Sequence, residues 1–101
     1  MDSTMEMLGP SRLAEAVAQL KGWRLEGNTL CRDFKFDTFA DAFGFMAIAS
    51  HMIERMNHHP EWTNVYNRVT VRLSTHDVGG VTQKDLDLAA VMQGIAQKLV
   101  K

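Results

Sequence analysis

Val69-Thr70-Val71-Arg72-Leu73-Ser74-Thr75-His76 alternates apolar and polar side chains along its length. A strand turns successive side chains to opposite faces. Val69, Val71 and Leu73 therefore point to a core, and Thr70, Arg72, Ser74 and His76 point away from it. Just upstream, Trp62 to Tyr66 reads as a partner strand, with Asn67-Arg68 as the turn of a hairpin. Pro60 closes whatever precedes this hairpin and holds His59 extended. Before it, a helix is predicted from Asp37, a good N-cap, to about His58. Phe39, Phe43, Met46, Ser50 and Ile53 share one face of that helix, and Ala42, Phe45, Ile48, Ala49 and Met52 make its other side apolar too. A helix apolar nearly all round is covered on more than one side. In so short a chain, the expected second cover is another subunit.

Further out, Trp23-Arg24-Leu25-Glu26 alternates, Gly27-Asn28 is turn chemistry, and Leu30, Phe34 and Phe36 alternate with Cys31, Asp33 and Lys35. This is a first hairpin with its aromatic side toward the core. Arg32 breaks the alternation and must snorkel or lie near an edge. Leu13, Val17 and Leu20 recur at helical spacing between Ser11 and Lys21, and Gly22 stops that helix. After Gly79-Gly80, Thr82 with Asp85 three residues later resembles a capping box, opening a last helix with the stripe Leu88, Val91, Met92, Ile95 and Leu99. The order helix-strand-strand-helix-strand-strand-helix predicts an α+β fold: a four-stranded antiparallel sheet with three helices on one face. Residues 1–101 are read as one domain whose first few residues are loose, since no repeat or composition break divides them.

Composition narrows the class. Of the 101 residues, 46% are hydrophobic and 23% charged, the balance of an ordinary globular domain. A formal charge of −1 gives no electrostatic reason to expect direct nucleic-acid or membrane binding. Cys31, the lone cysteine, has no internal disulfide partner, which suits a cytoplasmic location. The acidic start Met1-Asp2-Ser3-Thr4-Met5-Glu6 does not read as a secretory signal. No apolar run reaches the roughly 18 residues of a membrane span.

Chemistry concentrates in three of the four histidines: His58, His59 and His76. His51 stands apart in mid-helix and is assigned no role. Glu54 precedes His58 by four residues, so the two share a helix face if the helix extends that far. A histidine at a helix C-terminus, titrating near neutrality, suits proton donation. His59 projects differently because Pro60 holds it extended, and His76 ends a strand. Three readings stay open on these residues alone: a proton-transfer site, a C-cap followed by a turn, or a three-histidine metal site. For the last, Glu54, Asp77 or Asp85 would be the orienting carboxylate, but the spacing matches no standard metal motif. Tyr66 reads as core, while Trp62 is placed to wall a flat aromatic ligand.

Glu54, His58-His59-Pro60, Tyr66, His76 and Asp85 stand at the spacing of one known signature. Further matches are Phe43-Gly44-Phe45-Met46, Pro60-Glu61-Trp62, Asn64-Val65-Tyr66-Asn67 and Leu73-Ser74-Thr75-His76. From about Trp23 to the C-terminus the chain resembles the pterin-4a-carbinolamine dehydratase family, the 4a-hydroxytetrahydrobiopterin dehydratases. The resemblance implies the fold just read, and dimers or tetramers built partly through the sheet edge and the long helix. It implies a hydro-lyase that removes water from a 4a-hydroxytetrahydropterin without metal or cofactor. His58, His59 and His76 would be catalytic. Glu54, Pro60, Trp62, Thr75, Asp77 and Val78 would join them around the pterin, with Asn57, Lys84 and Asp85 in support. Asn57 stands where animal members have aspartate and loses a charge; Lys84 stands where many have arginine and loses the planar fork. The assignment carried forward has His58 and His76 moving protons while His59 holds substrate. Two alternatives accompany it: a non-enzymatic dimerisation or protein-interaction module, and a pterin-related role in molybdopterin metabolism.

Overall fold

A computed structural model describes residues 6–99; the first few residues, expected to be loose, lie outside that range except for Glu6 and those that follow it. The elements are α1 (Pro10–Gln19), β1 (Arg24–Glu26), β2 (Thr29–Lys35), α2 (Phe39–Met56), β3 (Glu61–Val65), β4 (Arg68–Leu73) and α3 (Gln83–Leu99). They follow the predicted order. The four strands form one antiparallel sheet in the order β1-β2-β4-β3. Each hairpin pairs its own strands, and β4 docks against β2, with Leu30 opposite Leu73 and Phe34 opposite Val69.

Alternation decides which side of the sheet is covered. Leu30, Phe34, Val69, Val71 and Leu73 are buried with Ala42, Phe45, Ala49 and Ile53 of α2 and with Leu88, Ala89 and Met92 of α3. Phe45 sits 4.7 Å from Phe34 and 5.2 Å from Phe36, ring centre to ring centre. The opposite side of the sheet carries an ion network instead: Arg24 with Glu26 (2.5 Å) and Asp33 (3.1 Å), and Arg72 with Glu26 (3.2 Å). Cys31 belongs to that side yet has no exposure; it stands in register between Arg24 and Arg72. Arg32 snorkels as expected. Its guanidinium lies 4.4 Å from the Phe34 ring centre and donates to the Lys21 carbonyl (2.5 Å) and to Gln93 Oε1 (2.7 Å). Gly22, at φ +89°, leaves room for it: a Cβ there would press on the guanidinium carbon at 2.9 Å.

Three expectations are corrected. Thr38, not Asp37, caps α2: its backbone is extended and its Oγ1 accepts from the Asp41 N–H at 3.0 Å. The buried stripe of α2 is Ala42, Phe45, Ala49 and Ile53, whereas Phe39, Phe43 and Ile48 are exposed. Phe39 and Phe43 lie on the flank of α2 that the single chain leaves uncovered. Last, the β3–β4 turn is Tyr66-Asn67 rather than Asn67-Arg68, because Val65 pairs with Arg68. Tyr66 adopts φ +52° and is 66% exposed, outside the core predicted for it. A left-handed tyrosine is strained, and neighbouring amides hold the turn. Asn64 Nδ2 donates to the Tyr66 and Arg68 carbonyls (3.1 and 2.8 Å), and Asn67 Nδ2 to the Phe36 carbonyl (2.8 Å).

Candidate active site

The C-terminus of α2 sets the first half of the site. Asn57 takes the left-handed conformation (φ 50°, ψ 45°). The N–H of Asn57 then reaches the Glu54 carbonyl (3.2 Å) and that of His58 reaches the Ile53 carbonyl (3.3 Å). This is the Schellman closure, which satisfies carbonyls left free at a helix end and reverses the chain. Asparagine is the side chain, after glycine, best suited to that conformation. The reversal carries His58 back to the body of the protein, where it is 8% exposed. It also ends the helical relation between Glu54 and His58. Glu54 stays exposed on α2 and does not line the pocket described below.

The second half is the loop from Thr75 to Gly80. β4 stops at Leu73, three residues earlier than a strand ending at His76 would require. Thr75 N–H donates to the Gly80 carbonyl (2.8 Å), while the Thr75 carbonyl accepts from Gly79 (3.0 Å) and Val78 (3.2 Å). Gly79 supplies the positive φ (+68°) this tight reversal needs. The loop buries Thr75 and leaves His76 and Asp77 exposed at its tip. Immediately beyond it, the expected capping box opens α3: Thr82 N–H donates to Asp85 Oδ2 (2.9 Å) and Lys84 N–H to Thr82 Oγ1 (3.2 Å).

Asp85 joins the halves. His58 Nε2 lies 2.5 Å from Asp85 Oδ1, and Thr75 Oγ1 donates to Asp85 Oδ2 at 2.9 Å. A carboxylate with no solvent exposure is costly unless hydrogen bonds and an opposing group compensate it. Here both oxygens are engaged. Beside this pair opens a cavity of about 270 Å³, near the lower end of small-molecule sites. The α2 end contributes Asn57, His58 and His59 to its lining; the loop contributes Ser74, Thr75, His76 and Asp77; α3 contributes Lys84.

Seven of the residues singled out in the sequence thus border one cavity. Glu54, Pro60, Trp62 and Val78 do not line it. Trp62, half-buried on β3, packs against the hydrophobic core. Asp85 lies beneath His58 rather than on the cavity surface. The Thr75 hydroxyl is committed to Asp85 and Thr82. Sequence reasoning passed over Ser74 and Thr82. Ser74 follows from the same alternation that placed His76, and Thr82 was visible only as a helix cap. Among the described residues, no group of three or more His, Cys, Asp or Glu side chains gathers as a metal cage. None of the described helices is long and apolar enough to cross a membrane.

Known proteins resemble this chain over most of its length. The family described as Pterin 4 alpha carbinolamine dehydratase matches residues 6–95. A protein of Solibacter usitatus named "Putative pterin-4-alpha-carbinolamine dehydratase" is 47% identical over 88% of this chain and 94% of its own length. One of Rhizobium rhizogenes with the same name is 46% identical over 92% and 94%. A crystal structure described as a transcriptional coactivator/pterin dehydratase from Brucella melitensis superposes with TM-score 0.88 at 46% identity, covering 90% of this chain and 99% of that one. A pterin dehydratase-like protein described as a RuBisCO assembly factor shares the fold at TM-score 0.66 and 20% identity, over 74% of this chain and 89% of its own. A family match across nearly the whole described chain, with relatives this similar, leads to one conclusion: the chain belongs to the pterin 4 alpha carbinolamine dehydratase family.

Proposed function

We propose that this protein removes water from a 4a-hydroxytetrahydropterin by histidine acid–base catalysis. The observation that carries the reading is the meeting of His58, His59 and His76, from a helix end and a loop, around one small cavity. In the reaction the C4a–O bond and the N5–H bond break, a C4a=N5 double bond forms, and quinonoid dihydropterin and water leave. Hydroxide is a poor leaving group, so an imidazolium donates its proton to the departing oxygen. A neutral imidazole takes the N5 proton, and the protons balance within the pair. His58 and His76 are the proton-handling pair and His59 holds substrate. No metal or organic cofactor enters this scheme.

The decisive measurement is turnover of a synthetic 4a-hydroxytetrahydropterin in the presence of chelator. The wild type turns over under these conditions; failure to do so sinks the reading. Replacing His58 or His76 by alanine lowers kcat by about 10²–10⁴-fold, whereas His59→Ala chiefly raises KM. Loss of kcat at His59 with unchanged KM reverses that assignment.

The same reading makes the protein a cytoplasmic homo-oligomer. Support comes from Phe39, Phe43 and Ile48 on α2 and Val65 and Tyr66 at the β3 end, all large, apolar and exposed on the single chain. Exposed apolar surface of that kind marks a contact site. It also favours a second reading, a protein-interaction module, and the Brucella melitensis relative is described as coactivator and dehydratase alike. Activity of the purified protein without partners discriminates the two.

A further inference from the structure

Thr75 and Thr82 hydroxyls lie 2.8 Å apart in the buried floor of the site, and neither is explained by packing alone. Each hydroxyl has one proton to give. Asp85 Oδ2 already faces the Thr82 N–H, which can only donate (2.9 Å). Thr75 also gives its proton to that oxygen (2.9 Å). The contact between the two threonines must then use the Thr82 proton, and Thr82 Oγ1 in turn accepts from the Lys84 N–H (3.2 Å). Every proton in the chain has one direction: Lys84 N–H to Thr82, Thr82 to Thr75, Thr75 to Asp85. As a carboxylate, Asp85 then offers its other oxygen as an acceptor, 2.5 Å from His58 Nε2.

We infer that Thr75 and Thr82 form a one-way hydrogen-bond relay that orients Asp85 and thereby holds neutral His58 with its proton on Nε2 and its lone pair on Nδ1. Nδ1 is the nitrogen left to work. None of the described residues hydrogen-bonds it, and no buried side-chain nitrogen or oxygen among them lacks a partner. His58 lines the cavity, and Nδ1 is the ring nitrogen that Asp85 leaves for a ligand there. When Nδ1 takes a proton, the new charge meets a carboxylate already in place, so no group must reorient as it forms. Thr75 and Thr82 are positioning residues, and Thr75 acts through Asp85 rather than through its hydroxyl on the pterin. The role in turnover rests on the dehydratase reading; the tautomer does not.

The experiment records long-range ¹H–¹⁵N NMR spectra of the histidine rings in the free protein, at a pH where His58 is neutral, with His58 assigned by difference against His58→Ala. The wild type shows a protonated Nε2 and a bare Nδ1. In Thr75→Val the Nδ1–H form of His58 grows in. Its kcat falls roughly 10–100-fold, in line with losses of groups that orient catalytic side chains, while KM moves by less than about threefold. Thr75→Ser restores both the spectrum and kcat. A wild-type His58 protonated on Nδ1 places the shared proton on Asp85 and overturns the relay, even if Thr75→Val does not fold. A wild-type spectrum or an undiminished kcat in folded Thr75→Val also overturns it. Absence of turnover in the wild type sinks the dehydratase reading instead, and the spectra still decide the relay.

Discussion

Asn57 shows how a backbone requirement and a place in the candidate site coincide in one residue. Its left-handed conformation closes α2 and delivers the next residue, His58, to Asp85. Alanine at this position retains the backbone N–H but meets the left-handed penalty of L-residues, about 1–2 kcal/mol. Asn57→Ala should lose about 1 kcal/mol in urea unfolding, and Asn57→Gly should be neutral or slightly stabilising. The departure from aspartate read in the sequence thus has a structural use that charge does not supply. Glu54 is the converse case. Its spacing from His58 was plain in the sequence, but the spacing has meaning only inside a continuous helix, and the left-handed residue between them removes it.

Elements were the most legible level. Helical spacing in α2 and α3 and alternation in β2 and β4 gave seven elements in the right order, because each pattern reports burial of a face. Boundaries depended on contacts that no local pattern contains. The Tyr66-Asn67 turn is fixed by Asn67 reaching Phe36, 31 residues away, so the sequence alone favoured the neighbouring Asn67-Arg68. The start of α2 was similar: Asp37 and Thr38 are both acceptable caps, and the structure selects Thr38. Thr38→Ala should destabilise the protein by about 1 kcal/mol in thermal or urea unfolding, while Asp37→Ala changes it much less. The reverse ranking would return the cap to Asp37.

For the whole molecule, sheet order brings the site together. β4 beside β2 puts the Thr75–Gly80 loop near the α2 end, and Asp85 spans the 27 residues back to His58. The convergence of the three histidines was readable from the sequence only through family resemblance, since neither His58 nor His76 carries any local sign of the other. The apolar outer side of α2 was legible as a surplus, and on the single chain it remains open. The Phe39 and Phe43 rings lie 5.8 Å apart, tilted at 42°, and Phe43 is 57% exposed. Phe43→Asp places a charge in that patch without touching the buried stripe. It should shift the protein toward monomer in sedimentation velocity while leaving the circular dichroism spectrum unchanged; an unaltered mass would mean that subunits meet elsewhere.

Cys31 gives such an assembly a particular character. Burial pushes its thiol above the ordinary pKa, and Arg24 and Arg72 flank it in register while sharing Glu26. The thiolate is the form that oxidises and alkylates, and on the folded chain it is both scarce and out of reach. If copies of the protein come together, a disulfide through this thiol is not what joins them, and air or peroxide has little purchase on it.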